Sequence, residues 1–130
     1  MVTVETRAGI IYAVFTNNSR QAVDTYIDQM IIIMEQHIAS AGVTVPMRTL
    51  LDVTQSGMFS VRYASTVVTE RLQAYPSRPE QFYAYVVKSM QDEAVVQMMD
   101  AILARRLQHQ RRVYTADQYD AAVAWLQERA

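Results

Sequence analysis

The sequence predicts an α/β fold: a mixed, mostly parallel, roughly five-stranded sheet with four helices, in the order β-β-α-β-α-β-α-β-α. Three observations predict it. Short β-branched and aromatic runs alternate with longer stretches whose apolar residues recur every three or four positions. Strands separated by helices pair in parallel through right-handed crossovers, whereas the first two strands are joined by a short turn and form a hairpin. At 130 residues, half of them apolar and with no linker or repeat, the chain has the length of one domain. Such a domain buries roughly two-thirds of its unfolded surface.

VTVET (2–6) alternates apolar and polar residues as a half-exposed strand does, RAG (7–9) supplies a turn, and IIYAVFT (10–16) is a central strand. NNS (17–19) starts a helix, with Asn18 or Ser19 able to cap it. Its stripe runs Val23, Tyr26, Ile27, Met30, Ile31, Met34, His37, Ile38 and Ala41, and Gly42 stands where a C-terminal cap belongs. Ile32 falls opposite that stripe and Ile33 just beyond its edge, so the pair marks a candidate exposed apolar interface.

RTLLDVT (48–54) reads as a buried strand and SVRYASTVVTERLQAY (60–75) as a helix stopped by Pro76. QFYAYVV (81–87) is a strand placing Phe82, Ala84 and Val86 on one side and Tyr83, Tyr85 and Val87 on the other. In SMQDEAVVQMMDAILARRLQ (89–108), Ser89 and Asp92 form a capping-box pattern ahead of Val95, Met98, Met99, Ile102 and Leu103. RRVYT (111–115) is a short edge strand, and Thr115 with Gln118 opens the last helix, ADQYDAAVAWLQ (116–127).

Composition excludes several chemistries. A net charge of −1 supplies no global field for nucleic acid or anionic membranes. The absence of cysteine removes disulfides, thiolate metal sites and a Cys nucleophile. MIIIM (30–34) is too short to span a bilayer, and VTVET lacks the basic and apolar regions of a signal peptide, so a cytoplasmic protein is expected. His37 and His109 have no partners at ligand spacing, so neither a metal nor a cofactor is expected. No nucleophile elbow or Gly-rich phosphate loop occurs, and a non-enzymatic role is expected.

LLDVTQSGMFS and RVYTADQYDAAVAWLQ, together with the order of elements, make the whole chain resemble a STAS domain, the fold of bacterial anti-sigma-factor antagonists (the SpoIIAA-like family). The resemblance implies a regulatory module that acts through protein contacts, with a homodimer among its expected forms. Antagonists of that family carry an Asp-Ser-Ser-Gly signature after the second βα strand, and its Ser is phosphorylated. Aligned by the strand, Ser60 falls at the family's Asp and Val61 at its phosphorylated Ser, so the signature is absent. The partner loop implied here comprises Asp52, Gln55, Ser56, Gly57 and Ser60, with Ser56 the nearest hydroxyl for a phospho-switch and Ser60 readable as an N-cap.

Asp52 is the one acid in an apparent core strand; it reads as a strand-end cap bonding TQSG amides rather than as a catalytic acid, because no His or Lys lies nearby. Arg105, Arg106, Arg111 and Arg112, with His109, form a basic cluster suited to an anion, although helix-end charges also suit the dipole. Met30, Met34, Met98 and Met99 read first as core filling. A second expectation is a carrier of a lipid-like or other apolar molecule, which requires a cavity walled by Met and Tyr side chains. If the parallel strands run consecutively, α-helices gather on one face, and the other must be covered by a crossing helix, a partner or a ligand.

Overall fold

The computed structural model describes residues 1–130 and has the predicted class and element order. Strand β1 (Val2–Arg7) pairs antiparallel with β2 (Ile10–Phe15); β3 (Met47–Asp52), β4 (Gln81–Val87) and β5 (Arg111–Thr115) follow in parallel, giving the spatial order β1-β2-β3-β4-β5. Helices α1 (Arg20–Ala41), α2 (Val61–Leu72) and α3 (Glu93–Ala104) lie on one face of this sheet. A 3-10 turn (Ala116–Gln118) then leads α4 (Tyr119–Gln127) onto the other face. No helix is long and apolar enough to cross a membrane.

Alternation along the strands builds two cores. Ile11, Ala13, Phe15, Leu51, Tyr85 and Val87 face α1–α3, while Ile10, Tyr12, Leu50, Ala84 and Val86 face α4. The second face is therefore covered by a helix. Ala122, Trp125 and Leu126 press on it, and Phe82 meets the Trp125 ring edge-on at 6.1 Å. Arg48 fastens this layer, donating from Nη1 to the Leu126 carbonyl (3.2 Å) and from Nη2 to that of Gly9 (3.4 Å).

The helix ends follow local chemistry. Ser19 Oγ accepts from the Ala22 amide at 3.1 Å, and Gly42, at φ 76°, returns its N–H to the Ile38 carbonyl. Thr115 and Gln118 make the expected capping box. Helix α3 departs from expectation: its N-cap is Asp92, whose carboxylate accepts from the Ala94 amide, while Ser89 serves the Gln91 amide in the preceding turn. The helix closes at Ala104 because Arg106 adopts a left-handed conformation (φ 56°) and the Leu107 amide reaches back to the Ile102 carbonyl. Arg105 and Arg106 therefore lie beyond the last turn instead of within it.

The β1–β2 turn has two residues, Ala8 (φ 51°) and Gly9 (φ 78°), both left-handed. Gly9 suits its left-handed backbone, and a Cβ there would also displace the Arg48 guanidinium, whose Nη2 lies 2.7 Å from the position it would take. Ala8 has no such excuse, and Asn-Gly is the favoured pair in turns of this geometry. Ala8→Asn is expected to raise stability by roughly 0.5–1 kcal/mol; urea unfolding of the two proteins checks it, and an unchanged or lowered midpoint would contradict this reading of the turn.

Candidate functional site

Helix α2 has no buried residue, unlike α1 and α3 on the same face of the sheet. It is tied to α1 by surface polar contacts: Tyr63 donates to Asp24 at 2.6 Å, Arg71 pairs with Asp28 at 2.5 Å, and the Arg20 guanidinium lies 4.8 Å from the Tyr63 ring centre. Such exposed contacts contribute little each, about 0.2–1 kcal/mol. The inner side of α2 is made of small and medium side chains, among them Ala64, Ser65 and Val68.

Beneath α2 lies a cavity of about 250 Å³, partly open to solvent and walled mainly by apolar groups. The sheet floor contributes Leu51, Tyr83, Tyr85 and Arg111; α1 contributes Val23, Tyr26 and Ile27; α3 contributes Met98 and Ile102; and the loop after β3 contributes Met58 and Phe59. Thr69 and Arg105 line it while remaining exposed, which puts the mouth between α2 and the end of α3. A smaller void of about 70 Å³ shares Tyr26, Ile27, Val68, Leu72 and Tyr83 with it.

Strand periodicity assembles the polar part of this wall. Tyr83 and Tyr85 are two apart on β4 and so share a face, and Tyr83 stands directly opposite Arg111 of β5. Arg111 Nη1 donates to the Tyr85 hydroxyl at 2.9 Å, and its guanidinium sits 4.9 Å from the Tyr83 ring centre. No carboxylate pairs with Arg111; the two ion pairs of the molecule are Arg7–Glu5 and Arg71–Asp28. The Tyr26 hydroxyl is buried without a hydrogen-bond partner. Burial pushes the Tyr26 hydroxyl well above its ordinary pKa, with Tyr83 and Tyr85 adding to the rise and Arg111 opposing it. Tyr83 is half-buried by accessible surface because part of it faces the two voids, but its hydroxyl lies deep enough for desolvation to push it up to about 12. Arg111 holds its proton more firmly than usual, chiefly through Tyr85 and against the lowering effect of burial.

The sequence-predicted sites separate. Arg111 points into the cavity, whereas Arg112, next on the strand, reaches the opposite face and lies 5.4 Å from the Trp125 ring centre. Arg105 is at the cavity mouth, and Arg106 is exposed in its left-handed turn. The four arginines thus do not form one anion site, because alternation and the helix end send them different ways. Ile32 is exposed, at 55 %, but Ile33 is partly buried and packs on the main core. Asp52 Oδ1 accepts from the Thr54 amide (3.0 Å) and hydroxyl (2.6 Å), the strand-end role. Ser60 Oγ caps α2 by accepting from the Tyr63 amide at 3.2 Å. Ser56 Oγ bonds the Gly57 carbonyl at 2.7 Å, and Gln55 is exposed. Met58 and Phe59 of the same loop turn inward, with Phe59 5.1 Å from Phe15 between ring centres. His37 bonds the Val45 carbonyl. No three His, Asp or Glu side chains gather at metal-binding spacing.

A period-two reading of QFYAYVV and RRVYT puts Tyr83 with Tyr85 and separates Arg111 from Arg112, whereas Tyr26, on α1, carries no local signal that it joins them.

The tyrosines give a pH dependence of known sign. Tyr83 is raised from 10.0 to about 12, so between those values the folded chain keeps a proton that the unfolded chain releases. Its stabilising contribution is intact below pH 10 and is lost as pH rises through 12. The urea midpoint is expected to fall above pH 10, and Tyr83→Phe to make that fall shallower; parallel curves for the two proteins would contradict it. No family model, curated protein or solved structure matches the chain.

Proposed function

We propose that this protein binds an apolar small molecule beneath α2, as a carrier or sensor. The cavity of about 250 Å³ carries this reading: it is walled by Met58, Met98 and three tyrosines and lies under a helix that buries none of its own residues. Benzene occupies a cavity of about 150 Å³ lined by aliphatic and aromatic side chains, so this one suits roughly ten non-hydrogen atoms. Burial of apolar wall and ligand surface supplies the driving force, about 25 cal/mol per Å². Motion of α2 away from α1 provides the entry: it breaks exposed polar contacts and lifts only partly buried apolar residues, Val61, Ala64, Val67, Val68 and Leu72 among them, off the core.

Methyl-resolved NMR with octan-1-ol and octanoate tests the reading. At least one ligand is expected to shift the Met58, Met98 and Val68 methyl signals in a saturable manner, and Ala64→Phe, which fills the cavity from α2, is expected to abolish those shifts while leaving the unfolding midpoint within a few degrees. If neither ligand moves those signals, the binding reading fails.

A protein contact, the regulatory role implied by the STAS-like order of elements, is the second reading, and a different surface favours it. Val96, Met99 and Leu103 are 44 %, 36 % and 57 % exposed and share one side of α3 at helical spacing. Part of the stripe read as core in the sequence thus faces solvent. In the homodimer version, the chain sediments as a dimer at micromolar concentration and Leu103→Glu converts it to a monomer; a monomeric wild type removes that version.

A further inference from the structure

The cavity wall carries cations and hydroxyl groups that can donate, and no negative charge. Arg111 brings a guanidinium, which donates only. The Tyr85 hydroxyl already accepts from Arg111 and makes no other hydrogen bond, so its own proton is free. The Tyr83 hydroxyl bonds no protein group, and the Tyr26 hydroxyl is buried and unpartnered. No Asp or Glu lines the cavity. An ionised carboxylate is the complementary group: it accepts only, is planar, and matches the fork of one guanidinium with two parallel bonds.

Position favours the same chemistry. The cation belongs to a sheet strand, held by ladder pairing with β4, rather than to a flexible surface segment. It is fixed further by the Tyr85 bond and the Tyr83 ring, so little orientation remains to be lost on binding. The guanidinium has no carboxylate partner in the protein, so an anion would supply the counter-charge it lacks. Leu51 on the sheet, Val68 on α2, and Met98 and Ile102 on α3 provide apolar wall for a hydrocarbon tail.

Resting on the binding reading above, we infer that the ligand is a carboxylate amphiphile, a medium-chain or aryl-alkyl acid of about ten non-hydrogen atoms, with its carboxylate on Arg111 and the Tyr26, Tyr83 and Tyr85 hydroxyls and its tail under α2. Arg105, at the mouth, is the second cation along the entry route and would draw the anion inward.

Octanoate and octan-1-ol share a tail and differ at the head, and calorimetry at neutral pH separates the two levels of the claim. Wild type is expected to bind octanoate at least about tenfold more tightly than octan-1-ol, a difference of about 1.4 kcal/mol, and Arg111→Met is expected to bring the two to similar affinity by weakening octanoate alone. Equal wild-type affinities would overturn the carboxylate assignment and leave the apolar cavity standing. Binding of neither ligand would overturn both. A preference retained in Arg111→Met would remove Arg111 as the anchor. Should that variant not fold, Tyr85→Phe, which keeps the ring and removes the hydroxyl that meets Arg111, is expected to cut the octanoate preference severalfold, and an unchanged preference would count against the proposed cluster.

Discussion

The constraint on which the rest of the structure depends is that a sheet with two apolar faces receives its crossover helices on only one of them. Strands β2 to β5 run in parallel and in sequence order, and consecutive right-handed crossovers bring α1, α2 and α3 to the same side. Ile10, Tyr12, Leu50, Ala84 and Val86 face the other way and would otherwise be wet. The short α4 must therefore close that face with few residues. It does so with a large ring and a fully buried Leu, Trp125 and Leu126, and with the Arg48 guanidinium joining the Leu126 carbonyl to that of Gly9 in the hairpin turn. The left-handed backbone at position 9, φ 78°, is what favours glycine in that turn.

On the crowded side, three helices share a sheet that α1 alone goes far toward covering. Its 22 residues bury Ala22, Val23, Tyr26, Ile27, Met30, Ile31 and Met34, whereas α3 buries Val95, Met98 and Ile102. Between them α2 packs on the core with partly buried residues only. Tyr83 and Tyr85 on the floor and Ala64, Ser65 and Val68 on α2 leave the space between them unfilled. Protein interiors otherwise pack as densely as organic crystals, and an unfilled volume costs on the order of 20 cal/mol per Å³. The void thus arises from a specific pairing of bulky strand residues with a helix of modest side chains, and the polar groups around it are placed by the strand period.

Much of this architecture was legible in the chain. Element order, the α1 stripe with its Ser19 and Gly42 caps, the β4 alternation and the Thr115–Gln118 box all follow from local spacing and local hydrogen bonding, which sequence encodes directly. What was not legible depended on neighbours far along the chain. Ile33 packs on the core because the broad α1 contact reaches past its stripe, while Met99 and Leu103 are exposed because no element covers that side of α3. Asp92 displaces Ser89 as cap because a turn intervenes before α3 begins. The arginines are near in sequence but not in space, because a strand sends Arg111 and Arg112 to opposite faces. The cavity itself is set by how far apart α2 and β4 come to rest, and spacing along the chain contains no such distance.

The loop after β3 ties these observations to the question of where this fold could act. In open parallel sheets, ligands commonly bind outside the carboxyl ends of the strands. Here the loop turns Met58 and Phe59 inward, the Asn18 side chain donates to the Met58 carbonyl at 3.4 Å, and Phe59 and Tyr26 both pack on Phe15. Phe59 and Tyr26 of that group line the space under α2, so the space reaches from its open mouth to the edge of the core. Tyr26 belongs to both: its ring is 5.4 Å from Phe15 between centres, and its hydroxyl is buried without a partner. Phenylalanine at this position would keep the ring contact and avoid an unmet hydrogen bond, a cost of about 1–3 kcal/mol. Packing alone gives no reason for the oxygen, whereas an acceptor seated between Tyr26 and Arg111 does.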